Sequence, residues 1–249
     1  TAISQFVSAL LCMVHLLRVE EEYRLELREI RFDSFMLKQI IQNGVPSGFQ
    51  NSVIAIANVF VQSNINAFGK MAMAGCGSYS KIEGFAFLPV TCFTMALTTF
   101  VSQNLGAKQY DRAKKGAKFG VLCSIAIAEL IGIIIYAAAP ILITAFNRDP
   151  DVVHYGVMQA RIIALFYCLL AFSHCIAAVL RGSGNASVPM IVMLCDWCLF
   201  RVSYITVAVR ILPDIRVIFW AYPLTWSISS VIFLYLFLRG KWMYGFEKS

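Results

Sequence analysis

A long uncharged apolar run that ends abruptly in a basic loop, at residues 84–116, limits what this chain can fold into. Residues 84–101 contain no charged side chain. The basic residues that follow fall within eleven positions and are Lys108, Arg112, Lys114, Lys115 and Lys118. Roughly 20 apolar residues, each rising about 1.5 Å along a helix, cross a hydrocarbon core about 30 Å thick. Because short loops rich in Lys and Arg stay in the cytoplasm, the stretch predicts a membrane-spanning helix with a cytoplasmic end.

The composition of the whole chain agrees with a membrane protein. Of its 249 residues, 59% are hydrophobic and 14% are charged, whereas a soluble domain carries about 25% charged residues. The net charge of +7 would suggest nucleic acid as the partner of a soluble protein. Here the basic residues lie between apolar segments, without a basic stripe interleaved with exposed aromatic rings that could stack on bases. We therefore expect membrane lipid, and no nucleic acid, as a partner.

Seven apolar segments and one charged stretch organise the chain. Residues 1–18 are predicted to form a transmembrane helix or the end of one, and residues 19–35, dense in both charges, a cytoplasmic linker. The remaining apolar segments are 36–68, 79–101, 119–146, 156–180, 190–209 and 217–238. Lone strands cannot cross a bilayer because their backbone groups stay unpaired. We expect an all-α integral membrane protein, with a six-helix lobe over residues 36–249.

The distribution of basic residues orients these helices. With a cytoplasmic linker and alternating helices, fourteen of the 21 Lys and Arg residues fall on the cytoplasmic side and four in the outer loops. Three more, Lys81, Arg161 and Arg201, lie within helices. The pattern follows the positive-inside rule and places the C-terminus in the cytoplasm. Since the chain starts at Thr1 without a basic leader, we expect it to begin inside a longer protein.

The helix after the linker has an amide-rich face. At 100° per residue, Asn51, Asn58 and Gln62 lie within about 40° of each other. In hydrocarbon such groups need partners, so this face should look toward protein or water. Two interpretations are equally supported: hydrogen bonding between helices, or the wall of a polar cavity that admits substrate.

The next helix carries a weaker polar stripe. Thr91, Thr94, Thr98 and Ser102 follow one side of it, and Thr94 and Thr98 are candidates for the same cavity. Hydroxyl groups can also bond to the carbonyl of the preceding turn, which makes a purely local role the simpler explanation.

Charged residues within the apolar segments are the candidates for ion coupling. They are Glu83, Glu129, Asp196 and Arg201, and each must be paired or hydrated in a membrane. Arg201 could pair with Glu129 or with Glu83, but on a straight helix Asp196 is about 140° away from Arg201. Structural ion pairing is the simpler role, and proton exchange at a carboxylate whose exposure alternates is the functional one. Lys81 and Arg161 lie nearer the outer ends and are expected to extend toward the interface.

Motifs for catalysis and metal binding are missing from the sequence. It contains no HExxH, GxSxG or Walker loop, so we expect no enzyme activity and no metal site. The eight cysteines are scattered among the apolar segments, where cysteine behaves as a small hydrophobic residue. Only Cys195 and Cys198 form a CxxC pair, and it lacks the polar setting that redox or zinc chemistry needs.

Three segments together resemble one transporter family. They are KQIIQNGVPSGFQNS at 38–52, KIEGFAFLPVTCFTMALTTFVSQNLGAKQYDRAKKG at 81–116 and VLRGSGNASVPM at 179–190. In this order they are similar to the second half of the multidrug and toxic compound extrusion (MATE) transporters, which have two six-helix lobes and cytoplasmic termini. The resemblance implies export of small cationic or amphiphilic compounds driven by entry of sodium or protons, with no other cofactor, and an N-terminal lobe as partner. It also implies a multi-pass protein of the bacterial inner membrane.

One departure limits what the resemblance transfers. A branch of the family has an acidic residue on the seventh helix, about eight positions after its proline, where this chain has Ile54 after Pro46. Two alternatives stay open at this point. A flippase for lipid-linked precursors or polysaccharides, from the same superfamily, would usually have more basic residues in the cavity. A non-transporting membrane scaffold would pack its polar helix faces shut.

Overall fold

The computed structural model describes residues 2–19, 24–26, 31–239 and 242–243, with the side chains of residues 43 and 47 left aside. Every regular element within these ranges is helical. The helices are α1 (Ala2–Arg18), α2 (Ser34–Asn66), α3 (Lys70–Gly106), α4 (Tyr110–Phe146), α5 (Pro150–Ile163), α6 (Tyr167–Gly182), α7 (Ser187–Met193), α8 (Arg201–Ile211) and α9 (Ile215–Leu238). A 3-10 turn joins α5 to α6 and a π-helical segment, Leu194–Phe200, joins α7 to α8.

The predicted all-α class is confirmed, and each predicted apolar segment corresponds to a helix or a continuous pair of helices. Five described helical spans are long and apolar enough to cross a membrane: α3, α4, α5 with α6, α7 with α8, and α9. The α1 helix is apolar but has 17 residues. The α2 helix has 33 residues, and its amides make it less apolar than the five. Residues 20–23 and 27–30 of the predicted linker lie outside the described residues, and the three-part division of the chain stays a prediction.

Residues Thr1–Ile41 and Gln42–Ser249 form two compact units. Within the second unit, the span formed by α5 and α6 is the most deeply buried. It packs against α3, α4 and α9, and α3 also packs along α4. These contacts make the second unit a helical bundle around the α5–α6 span.

Capping and backbone conformation explain where several helices begin. The carboxylate of Asp149 accepts from the Asp151 N–H ahead of α5, and Asp214 does the same for Arg216 at α9. Such caps satisfy backbone donors that have no partner inside the helix. In the loop between α6 and α7, Gly184 has a φ of 82°, as expected for a glycine-dependent reversal. In the loop between α3 and α4, by contrast, the positive φ of 56° belongs to Lys108 and not to the neighbouring glycine.

Small residues set the distance between the buried helices. A Cβ atom on Gly75 of α3 would lie 2.5 Å from the Val152 carbonyl oxygen and 2.9 Å from the Gly156 nitrogen of α5. A Cβ on Gly132 of α4 would meet the Ala164 carbonyl oxygen. Helices in lipid associate through close packing of this kind, because burial of apolar surface no longer distinguishes protein contacts from lipid contacts.

Candidate substrate cavity

A cavity of about 680 Å³ lies within the second unit, bordered by α2, α3, α6, the π-helical segment, the start of α8, and α9. Its wall combines aromatic rings, amides, hydroxyls and two charged groups. The lining residues are Asn51, Ile54, Asn58, Val61, Gln62, Ser80, Glu83, Gly84, Phe87, Leu88, Thr91, Leu170, His174, Trp197, Arg201, Tyr222 and Trp226.

The amide face of α2 forms one wall of this cavity. Asn51, Asn58 and Gln62 all line it with exposed side chains. The Gln62 side chain donates to the Asn66 oxygen at 2.8 Å, one turn further along the same helix. Ile54, at the position where part of the family has an acidic residue, lies on the same wall. The amide face thus borders open volume, and its contact with substrate stays a prediction.

Two contacts hold α2 against the helix opposite. The Gln50 amide nitrogen donates to the Met193 sulfur at 2.6 Å, and the Cys198 thiol donates to the Val53 carbonyl oxygen at 3.3 Å. Cys198 is therefore engaged in packing, while Cys195 is exposed. Both contacts lie in the part of α2 that carries its amide face.

Arg201 supplies the fixed positive charge of the cavity wall. Its side chain is 1% exposed, and its guanidinium lies 4.6 Å from the centre of the Trp197 ring and 4.7 Å from that of Tyr222. One terminal nitrogen donates to the Thr225 hydroxyl at 2.8 Å. A guanidinium can stack on aromatic faces while its edge donates hydrogen bonds. Two rings and a hydroxyl thus hold this cation.

The carboxylates near Arg201 are close enough to interact electrostatically without forming salt bridges. Glu83, partly buried in the cavity wall, and Asp196, buried beside it, both act on Arg201. In the described ranges the single salt bridge joins Arg216 to Asp214. Of the two partners expected from the sequence, Glu83 and Glu129, it is Glu83 that interacts with Arg201, but at a longer separation than an ion pair.

Asp196 occupies a position that a straight helix would not provide. It lies in the π-helical segment Leu194–Phe200, which ends where Arg201 begins α8, and π turns change the angular spacing of side chains. Neither carboxylate oxygen of Asp196 has a hydrogen-bond partner among the described residues. The hydroxyl of Ser229, on the facing helix α9, donates instead to carbonyl oxygens of its own helix. The 140° separation expected from an ideal α-helix does not apply here.

Among the described residues no salt bridge joins Glu129 to Arg201, so the suggested ion pair of these two residues is wrong. A Glu129 carboxylate oxygen accepts from the backbone N–H of Cys168 at 3.1 Å, in the first turn of α6. A carboxylate at this position satisfies a free donor and complements the positive end of the helix dipole. Glu129 thus caps the helix that resumes after the 3-10 turn.

Thr94 and Thr98 are not among the residues that line this cavity. The Thr94 hydroxyl donates to the Thr91 carbonyl oxygen at 2.7 Å. The Thr98 hydroxyl donates to the carbonyl oxygen of Thr94 at 2.8 Å and contacts that of Ala178 on α6 at 3.3 Å. Both hydroxyls serve helix structure and packing, whereas Thr91 does line the cavity.

Aromatic residues make up the part of the cavity that the sequence did not single out. The ring of His174 lies edge-on between Phe87 and Trp197, at 5.3 and 5.4 Å between ring centres. Tyr222 and Trp226 are one turn apart on α9, with ring centres at 6.0 Å. In the sequence, only the spacing of Tyr222 and Trp226, four residues apart, pointed to an aromatic wall. Aromatic residues at such spacing are also common on lipid-facing and packing surfaces.

Comparison with known proteins identifies the fold and the family. The MatE family profile matches residues 46–206. The chain is 28% identical over 254 residues to a probable multidrug resistance protein NorM of Thermotoga maritima, covering 97% of this chain and 52% of that protein. It is 22% identical over 197 residues to the probable multidrug resistance protein YoeA of Bacillus subtilis, covering 78% of this chain and 42% of that protein.

A solved structure has the same fold. A crystal structure of a MATE protein in complex with MaL6 superposes with a TM-score of 0.88 at 18% identity, covering 99% of this chain and 56% of that one. The chain thus spans about half the length of the curated relatives it matches. Its spans make it a multi-pass membrane protein, and the two bacterial relatives agree with an inner-membrane location. Because the family profile covers more than half of its residues, the chain belongs to the MatE family of membrane transporters.

Proposed function

We propose that this chain is the C-terminal half of a secondary active exporter that moves amphiphilic drugs and organic cations out of the cell in exchange for sodium or protons. The observation that carries the proposal is the 680 Å³ cavity whose wall combines aromatic rings, three amides and a carboxylate. Its volume lies within the range of about 300–1,000 Å³ typical of small-molecule sites. An N-terminal lobe would face this wall, and rocking of the two lobes would expose the site alternately to each side.

The wall suits flat, hydrophobic molecules that carry a positive charge. Phe87, Trp197 and Trp226 offer ring surfaces that attract both apolar groups and cations. The amides of α2 can donate to or accept from varied polar groups, which fits a site that tolerates many substrates. Glu83 provides the negative charge that a cationic substrate would meet.

Charge balance offers a route to coupling. With both carboxylates ionised, Glu83, Asp196 and Arg201 carry a formal net charge of −1, and one bound proton or sodium ion brings it to zero. Charge in a membrane interior is costly, so the empty site would favour uptake of one monovalent cation. A cationic substrate near Glu83 would compete with that ion. Such competition for one negative charge is a sufficient basis for exchange across alternating conformations.

The two alternatives have less support. A flippase for anionic lipid-linked precursors should have several basic residues in its cavity, whereas Arg and Lys contribute only Arg201 to this lining. A scaffold should pack its polar faces shut, whereas the amides of α2 border open volume. Exporter function is the interpretation that accounts for both features.

The test uses the full-length gene in a bacterial host that lacks its own drug pumps. We expect reduced susceptibility to several cationic dyes and efflux of those dyes in membrane vesicles on addition of a sodium or proton gradient. Glu83→Gln should abolish stimulation by the gradient. Glu129→Gln is the matched control, because it keeps an acceptor for Cys168 outside the cavity. Unchanged susceptibility across all dyes would reject the exporter, and gradient-dependent efflux by Glu83→Gln would reject the coupling role of Glu83.

A further inference from the structure

A second cavity, of about 770 Å³, lies between the outer ends of α4, α5 and α9. We call it the outer groove. It shares no lining residue with the candidate substrate cavity. Its wall is apolar with three basic groups and no carboxylate, and its characteristic members are His154, Val157, Arg161, Ile162, Arg216 and Trp220. The distribution of Lys and Arg along the chain puts this end of the helices on the outer side.

Arg161 is an exposed cation that lies inside an apolar span. It is eleven residues beyond Pro150, the first residue of α5, which corresponds to about 16 Å along the helix axis. Its guanidinium contacts the Tyr136 ring at 5.9 Å, and no carboxylate pairs with it in the described part of the chain. An exposed arginine at such a depth needs an anion or water within its reach.

Lys81 provides a comparison on α3. It is also exposed and eleven residues from the start of its helix. Its ammonium nitrogen lies 5.4 Å from the centre of the ring of Phe146, the last residue of α4. Lys81 thus extends toward the outer interface, as long basic side chains near helix ends do. Arg161 differs because it lines a groove with volume for another molecule.

Arg216 places a second cation at the outer rim of the groove. It is the second residue of α9, and its side chain is 61% exposed. Its Nε atom is 3.8 Å from Asp214, which is itself 52% exposed and outside the groove lining. The groove therefore has a cation at the interface, a cation deeper in the span, and apolar walls with an interfacial tryptophan, Trp220.

We propose that the outer groove binds an anionic phospholipid of the outer leaflet. Its phosphate lies near Arg216 and within reach of the extended Arg161 side chain, and an acyl chain follows Val157 and Ile162. Tryptophan side chains are favoured at the headgroup level, where Trp220 would lie beside the glycerol. Arg161 and Arg216, with Asp214 beside Arg216, carry a net charge of +1. A headgroup with a net charge of −1 neutralises it and a zwitterionic one does not, so the anionic lipid is preferred. The proposal is independent of the transport function.

The experiment measures lipid binding to the purified full-length protein. Native mass spectrometry follows the lipid-bound fraction as dioleoylphosphatidylglycerol or dioleoylphosphatidylcholine is added. We expect preferential binding of the phosphatidylglycerol and an affinity loss of about thirtyfold in Arg161→Ala/Arg216→Ala, from about 1 kcal/mol of attraction for each of the two basic residues. Lys70→Ala/Arg210→Ala is the matched control, because it removes two exposed outer cations that do not line the groove.

Several outcomes would overturn the proposal. Equal binding of phosphatidylglycerol by the groove variant and the control would do so, as would equal affinity for the two lipids. Displacement of the lipid by millimolar sodium phosphate would indicate a site for free anions instead. A dimer that the groove variant converts to a monomer would indicate an interface between copies. If the alanine variant does not fold, Arg161→Gln/Arg216→Gln tests the same expectation with longer polar side chains.

Discussion

The guanidinium carbon of Arg201 lies 4.6 Å from the centre of the Trp197 ring. Trp197 precedes Arg201 by four residues on the same continuous helical span. Tyr222 from α9 contacts the same guanidinium at 4.7 Å. The cation is held without a salt bridge to Glu83 or Asp196. Both carboxylates consequently keep the capacity to bind another cation while Arg201 stays in place.

This contact predicts that Arg201 cannot be replaced by lysine. An ammonium group lacks the planar surface that contacts two rings while donating to Thr225. We expect Arg201→Lys to lower the free energy of unfolding by about 2 kcal/mol, from the lost stacking and hydrogen bond, and to lower dye efflux by the full-length protein. Thermal unfolding in detergent and vesicle transport measure the two effects. Arg210→Lys, at an exposed position, should match the unaltered protein, and equal stability of both variants would contradict the role of stacking.

The amides of α2 give a prediction about substrate contact. Replacing Asn58 and Gln62 with leucine should reduce dye efflux by about tenfold or more, because two polar contacts worth roughly 1 kcal/mol each are lost from the cavity wall. Expression and thermal stability should change little, since both side chains are exposed.

Asn64→Leu is the control for the amide prediction. Asn64 is on the same helix but outside the lining, and its side chain donates to the Phe60 carbonyl oxygen. Efflux should persist in this variant. Undiminished transport by the double leucine variant would show that the amide face contributes only to packing.

The positions of the helices could be predicted from the sequence because a bilayer imposes a long apolar run and internally paired backbone. The amide face of α2 was also predictable, since a 100° rotation per residue fixes which side chains share a face. The π-helical segment before Arg201 was not, because apolar residues fit α and π turns equally and neighbouring helices decide between them. Likewise, the depth of Glu129 in the membrane, which the sequence does indicate, could not show that its carboxylate accepts from the backbone N–H of Cys168 at the start of α6.

Close packing of α3 on α5 predicts opposite effects for two neighbouring glycines. A Cβ on Gly75 would lie 2.5 Å from a backbone oxygen of α5, whereas a Cβ on Gly77 would meet nothing within 4 Å. Gly75→Ala should therefore destabilise the protein by about 1–3 kcal/mol, as overpacking does. Gly77→Ala should be neutral or stabilising, because alanine favours a helix by roughly 0.5–1 kcal/mol over glycine. Thermal unfolding in detergent compares them, and a matching loss in both variants would exclude the close contact as the cause.

Tyr79 and Tyr167 join α3 to α6 through a buried hydrogen bond between their hydroxyl oxygens, 2.8 Å apart. Removing one hydroxyl leaves the other buried without its partner, which costs about 1–3 kcal/mol, whereas removing both leaves two apolar rings in contact. We expect Tyr79→Phe and Tyr167→Phe each to lower the unfolding temperature. The double variant should lose less stability than the two single variants lose together. A double-mutant cycle in detergent measures this coupling. Strictly additive losses would mean that each hydroxyl has a different main hydrogen-bond partner. A water molecule that enters from the cavity lined by Glu83 and Tyr222 is one example.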